Sequence, residues 1–426
     1  MAGHIPQDIG LQGGPPRATF YGWVVFALSF GLLISDYMAR QVLNAVFPLL
    51  KQQWTLSDAQ LGLLSGVVAI MVGVLTFPLS LAADRWGRVR SLTLMAILWS
   101  LATLLCAAAD GFATMLVGRA LVGIGEAAYG SVGLAVVMSV FPARLRGTLT
   151  AAFMAGGLFG QVLGVAIGGA VAASHGWRMA FAAIGIFGLA LGLLYPLIVR
   201  ESRIRALSGS DATLAAEQAR VPLRSLVGNR SVLLAYLGSG LQMFAAGALP
   251  AWLPSYFNRY YHLEVDQAGP LAAVYLLICG TGMIVCGMIS DRISRDRPER
   301  KIALAIAYSL GAALCLAAAM LLPTGTAQLI LLGVAMFLVA ATVGPVGAMV
   351  ANLTPLAIHG SAFATLTLAN NLIGLAPGPI LTGRIADAIG LADAFRLLPV
   401  PCLLAALTYA AMRRSYLADL AERRAE

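Results

Sequence analysis

Long runs without a charged residue limit what this chain can fold into. Four of them cover residues 61–83, 179–199, 231–258 and 361–383. About 20 apolar residues in a helix span a bilayer core, and backbone groups in lipid must be hydrogen-bonded within helices or closed barrels. Barrel strands alternate polar and apolar residues over about 10 positions, whereas these runs are apolar on every side. The chain is therefore predicted to be an all-α membrane protein.

The composition extends this prediction to most of the chain. Hydrophobic residues make up 59% of the sequence and charged residues 11%, against about 25% charged residues in a typical soluble domain. Apolar stretches of helical length recur along the whole chain. They predict twelve spans, at residues 20–50, 59–83, 90–109, 112–141, 148–173, 178–199, 231–257, 267–290, 302–322, 327–350, 361–386 and 394–413.

The polar stretches between the spans predict how the chain is organised. The predicted parts are an N-terminal tail, a six-helix bundle, a linker, a second six-helix bundle and a C-terminal tail, at residues 1–19, 20–199, 200–230, 231–413 and 414–426. Most of the 28 Lys and Arg residues fall in loops on one side of the predicted membrane. The positive-inside rule assigns those loops and both termini to the cytoplasm.

This topology also explains the formal net charge of +9. In a soluble protein such a charge would favour a nucleic-acid partner, and none is predicted here. The predicted surroundings are a lipid bilayer, with the chain as a monomer in a bacterial inner membrane.

The two predicted bundles look like copies of one unit. The sequence DRWGR at Asp84 has a counterpart, DRISR, at Asp291, and both follow the second span of a bundle. Gly160 and Gly164 match Gly374 and Gly378 at a shift of 214 residues. Duplicated halves with a binding site between them are typical of secondary transporters.

Four glycines in the fifth span recur every four residues, at Gly156, Gly160, Gly164 and Gly168. This spacing places them in one stripe along a helix. Such stripes let a second helix approach closely, so their predicted role is helix packing.

Ionisable residues in the span interiors are confined to the amino half. Arg119 and Glu126 lie two turns apart in span 4, and Asp36 and Arg40 are one turn apart in span 1. A charged group at that depth costs about 2.5–3.5 kcal/mol on insertion scales, so each is expected to be paired or to line a wet cavity. In one interpretation they form salt bridges that only fix helix packing. In the other, Arg40 and Arg119 bind an anionic group while Glu126 or Asp36 takes a proton.

Four further polar residues occupy otherwise apolar spans and are candidates for orienting a ligand. They are Tyr129, Gln242, Asn370 and Asn371. Hydrogen bonds between helices are the alternative role for each of them. The chain has no HExxH, GxSxG or GxxxxGK[ST] motif, and its five cysteines lack metal-site spacing. Neither an enzymatic activity nor a cofactor or metal is therefore predicted.

The loop after span 2 resembles the loop signature of the major facilitator superfamily at Asp84, Arg85, Gly87 and Arg88. The second copy retains Asp291 and Arg292. The resemblance implies that these six residues act as a latch that holds the cytoplasmic side closed. It also implies the superfamily's fold, twelve transmembrane helices in two six-helix pseudo-repeat bundles.

Within the superfamily, the amino half is similar to the spinster-type and anion:cation symporter branches. The similar segments are RQVLNAVFPLLKQQWTLSDAQLGLLSG, GRALVGIGEAAYG and HGWRMAF. Both branches carry Arg in span 1 and Arg and Glu in span 4, here Arg40, Arg119 and Glu126. They usually have Asp directly before the first Arg, where this chain has Ala39 and its nearest acid is Asp36.

Three functions follow from the residues and the resemblance. The first is secondary active transport of a small organic anion by alternating access, coupled to protons. The second is spinster-like transport of lysolipids or other amphipathic anions, and the third is a transporter-fold receptor without transport. The sequence leaves the substrate and the direction of transport open.

Overall fold

The computed structural model describes residues 20–142, 145–207, 229–295, 297, 299–355 and 358–425. The predicted tail at residues 1–19 and residues 208–228 of the predicted linker lie outside this part of the chain. Among the described residues, twelve helices are long and apolar enough to cross a membrane, which confirms the predicted number of spans. They are α1 (Phe20–Ala45), α2 (Asp58–Ala83), α3 (Arg88–Ala107), α4 (Phe112–Val140), α5 (Gly147–His175), α6 (Trp177–Ile198), α7 (Arg230–Tyr261), α8 (Val265–Ile293), α9 (Arg300–Leu321), α10 (Thr326–Leu353), α11 (His359–Ile389) and α12 (Leu391–Leu420).

Some helix ends differ from the predicted spans. The first helix ends at Ala45, and a separate short helix, Phe47–Trp54, follows it. Pro48 lies in the first turn of the short helix, where its missing N–H and fixed φ favour a helix start. The first residues of the predicted linker form another short helix, Glu201–Leu207. At the C-terminus, the last helix continues to Ala425, so the described part of the predicted tail is helical.

Interruptions of the helices recur in both halves. In α4, Ala127 and Ala128 separate the helices Phe112–Glu126 and Tyr129–Val140. In α10, a similar break at residues 340–342 separates Thr326–Val339 from Val343–Leu353. Gly176 and Gly390, which are 214 positions apart, have φ angles of 83° and 92°, a conformation that glycine adopts most readily. The two halves therefore repeat the same backbone.

The centre of α11, the fifth helix of the second half, is irregular. A π-helical segment, Asn370–Leu375, separates the α-helices His359–Ala369 and Pro377–Ile389. The last helix, α12, is divided into Leu391–Arg396 and Pro399–Ala425.

The halves meet where α5 packs on α8 and α2 packs on α11. Both contacts depend on glycines. A Cβ atom added at Gly62 would lie 2.4 Å from the carbonyl oxygen of Pro379, and one at Gly269 would lie 3.0 Å from that of Val165. These distances leave no room for a side chain, so the backbones of the two halves are in direct contact.

The glycine stripe of α5 packs against α1. A Cβ atom at Gly160 would lie 2.6 Å from the carbonyl oxygen of Ile34, and one at Gly164 would lie 2.8 Å from Cα of Met38. Gly156 and Gly168 similarly face Phe30 and Val42. The stripe therefore holds α1 close to α5 along the turns that carry Asp36 and Arg40.

Candidate functional site

A central cavity of about 360 Å³ lies between the two halves. Its amino-half wall is largely polar and its carboxyl-half wall is apolar. The polar wall includes Tyr37, Arg40, Gln41, Asn44, Ser65 and Gln161, and the apolar wall includes Met243, Leu276, Cys279, Met283, Val343 and Leu375. A compact ligand in this cavity would contact hydrogen-bonding groups on one side and hydrocarbon and sulfur on the other.

Arg40 lies where the central cavity meets a second cavity. Its Nε atom is 3.2 Å from Oε2 of Glu126, and the two side chains are 22% and 4% exposed. This ion pair joins α1 to α4. Because part of the Arg40 side chain remains exposed, the guanidinium group is available to a ligand in the cavity.

The second cavity, of about 260 Å³, is lined by Asp36, Arg40, Thr76, Glu126 and Ser131. Asp36 and Glu126 thus line the same small cavity, one from α1 and one from α4. Asp36 Oδ1 and Glu126 Oε1 are buried with no hydrogen-bond partner among the described residues.

Arg119 is fully buried and lines neither cavity. Its guanidinium group donates to the backbone oxygens of Ala39 at 2.7 Å, Arg40 at 2.9 Å and Leu64 at 3.3 Å. These bonds tie α4 to α1 and α2. The Arg119 side chain thus holds the backbone that carries Arg40, and it occupies the space beside Ala39.

Tyr129, Gln242, Asn370 and Asn371 also line neither cavity. Tyr129 is fully buried and its hydroxyl donates to the backbone oxygen of Ser29 at 2.7 Å. Gln242 donates to the backbone oxygen of Val339 at 2.9 Å. Asn370 and Asn371 lie on the π-helical segment of α11, where Asn371 donates to the backbone oxygen of Thr367 at 2.9 Å.

Five polar residues of the cavity wall were missed by the sequence reasoning. They are Tyr37, Gln41, Asn44, Ser65 and Gln161. A signal for Asn44 existed, because it follows Arg40 by four residues and therefore shares its helix face. Nothing in the sequence alone placed Gln161 on α5 opposite that face.

Comparison with known proteins identifies the family. The sequence model of the Major Facilitator Superfamily matches residues 28–375. The chain belongs to this superfamily. A probable L-galactonate transporter of Escherichia coli (strain K12) is 27% identical over 93% of the chain and 89% of its own length. A sphingosine-1-phosphate transporter of Danio rerio is 27% identical over 66% of the chain and 59% of its own length.

The fold of the chain is also similar to that of a solved structure. A bacterial homologue of the human lysosomal transporter Spinster, in an inward-facing and occupied conformation, matches with a TM-score of 0.82. It is 21% identical, and the match covers 95% of this chain and 99% of that chain. The superfamily and the twelve helices establish a multi-pass integral membrane protein, and its named relatives are transporters rather than enzymes.

The loops α2–α3 and α8–α9 carry exposed arginines at one end of the molecule, here called the basic end. The superfamily loop signature lies at this end. Gly87 has a φ angle of 101°. The carboxylate of Glu201 accepts hydrogen bonds from the backbone N–H groups of Arg88 at 3.2 Å and Val89 at 2.7 Å. Glu201, a residue that the sequence reasoning did not select, thus caps the start of α3.

The remaining latch candidates are more exposed. Arg85 and Arg292 project from the basic end, and the side chain of Asp84 lies outside the described part of the structure. Asp291 is exposed and pairs with Lys301 at 2.8 Å.

At the opposite end, four charged residues form an interdomain clamp. The Asp58 carboxylate of α2 pairs with Lys51 at 2.5 Å and with Arg259 of α7 at 2.6 Å. Asp387 of α11 accepts from the backbone N–H groups of Asp58 at 2.7 Å and Ala59 at 2.8 Å. Because Arg259 and Asp387 belong to the carboxyl half, the clamp joins the two halves at this end.

Proposed function

We propose that the protein is a secondary active transporter of a compact organic anion and works by alternating access. One observation carries this proposal: a partly exposed guanidinium group, Arg40, lies in a cavity between the two halves. A buried arginine is retained in a membrane protein where it binds an anion or a paired carboxylate. The anionic group would bind Arg40 and the carbon skeleton would pack on Met243 and Met283.

The interdomain clamp supports a state that is closed at the opposite end. The central cavity would then be reached from the basic end, which the positive-inside rule assigns to the cytoplasm of a bacterial inner membrane. Rocking of the halves would break the Asp58–Arg259 pair and expose the cavity to the other side, as in other transporters with duplicated halves.

Coupling to protons would take place at Asp36 and Glu126. In the structure, Glu126 pairs with Arg40. A substrate anion that engages Arg40 would weaken this pair, and the two neighbouring carboxyl groups would then bind a proton more readily. When the anion leaves, Arg40 returns to Glu126 and the proton is released.

A spinster-like transporter of amphipathic anions is the second candidate. The apolar wall of the carboxyl half favours it, since it would accommodate a hydrocarbon tail. The cavity volume of about 360 Å³ is near the lower end of the range for ligand pockets, about 300–1,000 Å³. This size favours a compact anion over a long-chain lipid.

Uptake into proteoliposomes tests the proposal. The purified protein would be assayed with radiolabelled L-galactonate, benzoate and sphingosine 1-phosphate under an imposed pH gradient. We expect uptake of at least one compact anion and a loss of about 100-fold in Arg40→Ala, with Arg90→Ala at the basic end as the control. Undiminished uptake in Arg40→Ala would refute the anion site, and binding without uptake would favour a receptor.

A further inference from the structure

A chain of side-chain hydrogen bonds runs along the polar wall of the central cavity. Ser65 Oγ donates to Asn44 Oδ1 at 3.1 Å, and Asn44 Nδ2 donates to Gln41 Oε1 at 2.6 Å. Gln41 Nε2 then donates to Gln161 Oε1 at 3.3 Å. All four residues line the cavity, so the chain, here called the amide chain, forms part of the surface that a ligand contacts.

The direction of these bonds determines what the amide chain offers to a ligand. Each of its three amide oxygens already accepts a bond from the preceding member. An amide group has two N–H donors, so one remains on Asn44, one on Gln41 and two on Gln161. Gln161 is half-buried, and no partner for its Nε2 is found within the described residues. The free N–H groups of Asn44, Gln41 and Gln161 are therefore available to acceptors that a ligand supplies, although each amide oxygen keeps a second lone pair.

The position of the amide chain relative to Arg40 determines how far apart the two binding groups of a ligand must be. Asn44 follows Arg40 by four residues on α1, so it lies on the same helix face and about 6 Å farther along the axis. Side chains four residues apart have Cβ atoms about 5–6 Å apart, so an anion bound to Arg40 has donors of the amide chain as neighbours on the side of the interdomain clamp.

The charge of the cavity further restricts the ligand group that faces the amide chain. Among the residues that line the central cavity, Arg40 is the one cation, and the amide chain is neutral. A second carboxylate placed against neutral amides would lose hydration without gaining a counter-charge. A carbonyl or hydroxyl oxygen accepts the same N–H bonds without that penalty.

From these contacts we infer that Gln41, Asn44 and Gln161 form a subsite that recognises a neutral oxygen acceptor. The substrate is then a monoanion whose second oxygen, a ketone, lactone or hydroxyl group, lies about 6 Å from the anionic group. Gln161, at the end of the amide chain, determines the preference for this class. The inference rests on the proposed function, because Arg40 holds the first group.

Binding of matched acids to the purified full chain tests the subsite. The probes are hexanoate, 5-oxohexanoate, which adds a ketone at about the required distance, and adipate, which adds a carboxylate. By titration calorimetry, 5-oxohexanoate is expected to bind about three- to tenfold more tightly than hexanoate, as one added hydrogen bond predicts. Adipate is expected to bind no more tightly than hexanoate.

Two substitutions of Gln161 separate the subsite from general packing. Gln161→Met keeps the length of the side chain and removes its donors, and Gln161→Glu keeps its shape and replaces donors by acceptors. Both should reduce the preference for 5-oxohexanoate to about onefold. Hexanoate binding should remain in Gln161→Met and weaken in Gln161→Glu, because the added carboxylate repels the bound anion. Gln242→Met removes a buried amide that lines neither cavity and should leave the preference unchanged.

The outcomes distinguish this inference from the proposed function. Three results overturn the subsite, provided that hexanoate binding disappears in Arg40→Ala. They are equal affinities for 5-oxohexanoate and hexanoate, a preference for 5-oxohexanoate that persists in both Gln161 variants, and tighter binding of adipate than of the other two acids. Hexanoate binding that persists in Arg40→Ala contradicts the proposed function itself. Binding of none of the three acids contradicts both.

Discussion

The two halves of this transporter share a backbone but contribute different walls to the central cavity. The amino half supplies Arg40 and the amide chain, whereas the carboxyl half supplies methionine, leucine and other apolar side chains. The carboxyl half also contains polar residues, but two of them, Gln242 and Asn371, donate to backbone oxygens of their own half. The two halves thus repeat their helix breaks and turns, while the polar residues of the cavity wall lie in one of them.

A second difference concerns the two arginines of the amino half. Arg119 is fully buried and bonded to three backbone oxygens, while Arg40 is partly exposed and bonded to one carboxylate. The proposed function therefore gives the two arginines different roles, in which Arg119 fixes the helices and Arg40 binds the anion. Four substitutions, in descending order of expected effect, test this division of roles and that between the halves.

Replacing Arg119 should have the largest effect. Arg119→Ala removes the side-chain donor shared by three backbone carbonyl groups and opens a buried cavity, so we expect a loss of about 3 kcal/mol or more in the free energy of unfolding. Thermal unfolding in detergent measures it, with Arg90→Ala, at an exposed arginine of the basic end, as the control that should stay close to the natural stability. A stable Arg119→Ala protein that has lost only anion binding would make Arg119 a ligand residue.

The frame of the carboxyl half should be nearly as sensitive. A Cβ atom at Gly282 would lie 1.8 Å from the backbone oxygen of Phe337, whereas Gly287 on the same helix has no atom within 4 Å. Gly282→Ala should therefore lower stability by about 2–3 kcal/mol through overpacking, and Gly287→Ala should be tolerated. Equal melting temperatures for the two variants would argue against this close contact of α8 and α10.

Breaking the interdomain clamp should shift the conformational equilibrium rather than unfold the protein. Asp58→Asn removes the carboxylate that joins Lys51 to Arg259, and we expect about tenfold more opening at that end. Alkylation of Cys279 in the cavity by a membrane-impermeant maleimide, applied from the clamp side of membrane vesicles, measures it. Asp393→Asn, which breaks an exposed pair within α12, is the control. Unchanged labelling in Asp58→Asn would mean that the clamp does not hold this end closed.

The smallest effect is expected at Tyr129. Its hydroxyl makes one buried hydrogen bond to the backbone of Ser29, so Tyr129→Phe should cost about 1 kcal/mol of stability and leave the affinity for the transported anion unchanged. Denaturation and binding would be measured on the same preparation. A weaker affinity at unchanged stability would instead place Tyr129 in the binding site.

The sequence predicted the helices better than it predicted the partners of their polar groups. Charge-free length determines a membrane span, so the twelve helices and the repeat followed directly from the residues. The partner of a buried side chain depends on how two helices are rotated against each other, which no local pattern specifies. For this reason the positions of Arg40 and Glu126 were identified, but their pairing with each other and the backbone bonds of Arg119 were not.

The same limit applies to contacts between chain segments that are far apart. Asp58, Arg259 and Asp387 lie at helix ends, where charged residues are common, and only the packing of α2 against α7 and α11 brings them together. Gln161 and Met243 likewise appeared as ordinary residues of apolar helices until the fold placed them on facing walls of one cavity.

The most direct test of the division between the halves is the coupling of transport in Glu126→Gln. Proteoliposomes would be loaded with the transported anion to measure exchange, and left empty to measure accumulation driven by a pH gradient. We expect Glu126→Gln to retain exchange, because Arg40 still binds the anion, and to lose accumulation, because the proton site in the amino half is gone. Accumulation at the natural rate in this variant would contradict a coupling site at Glu126.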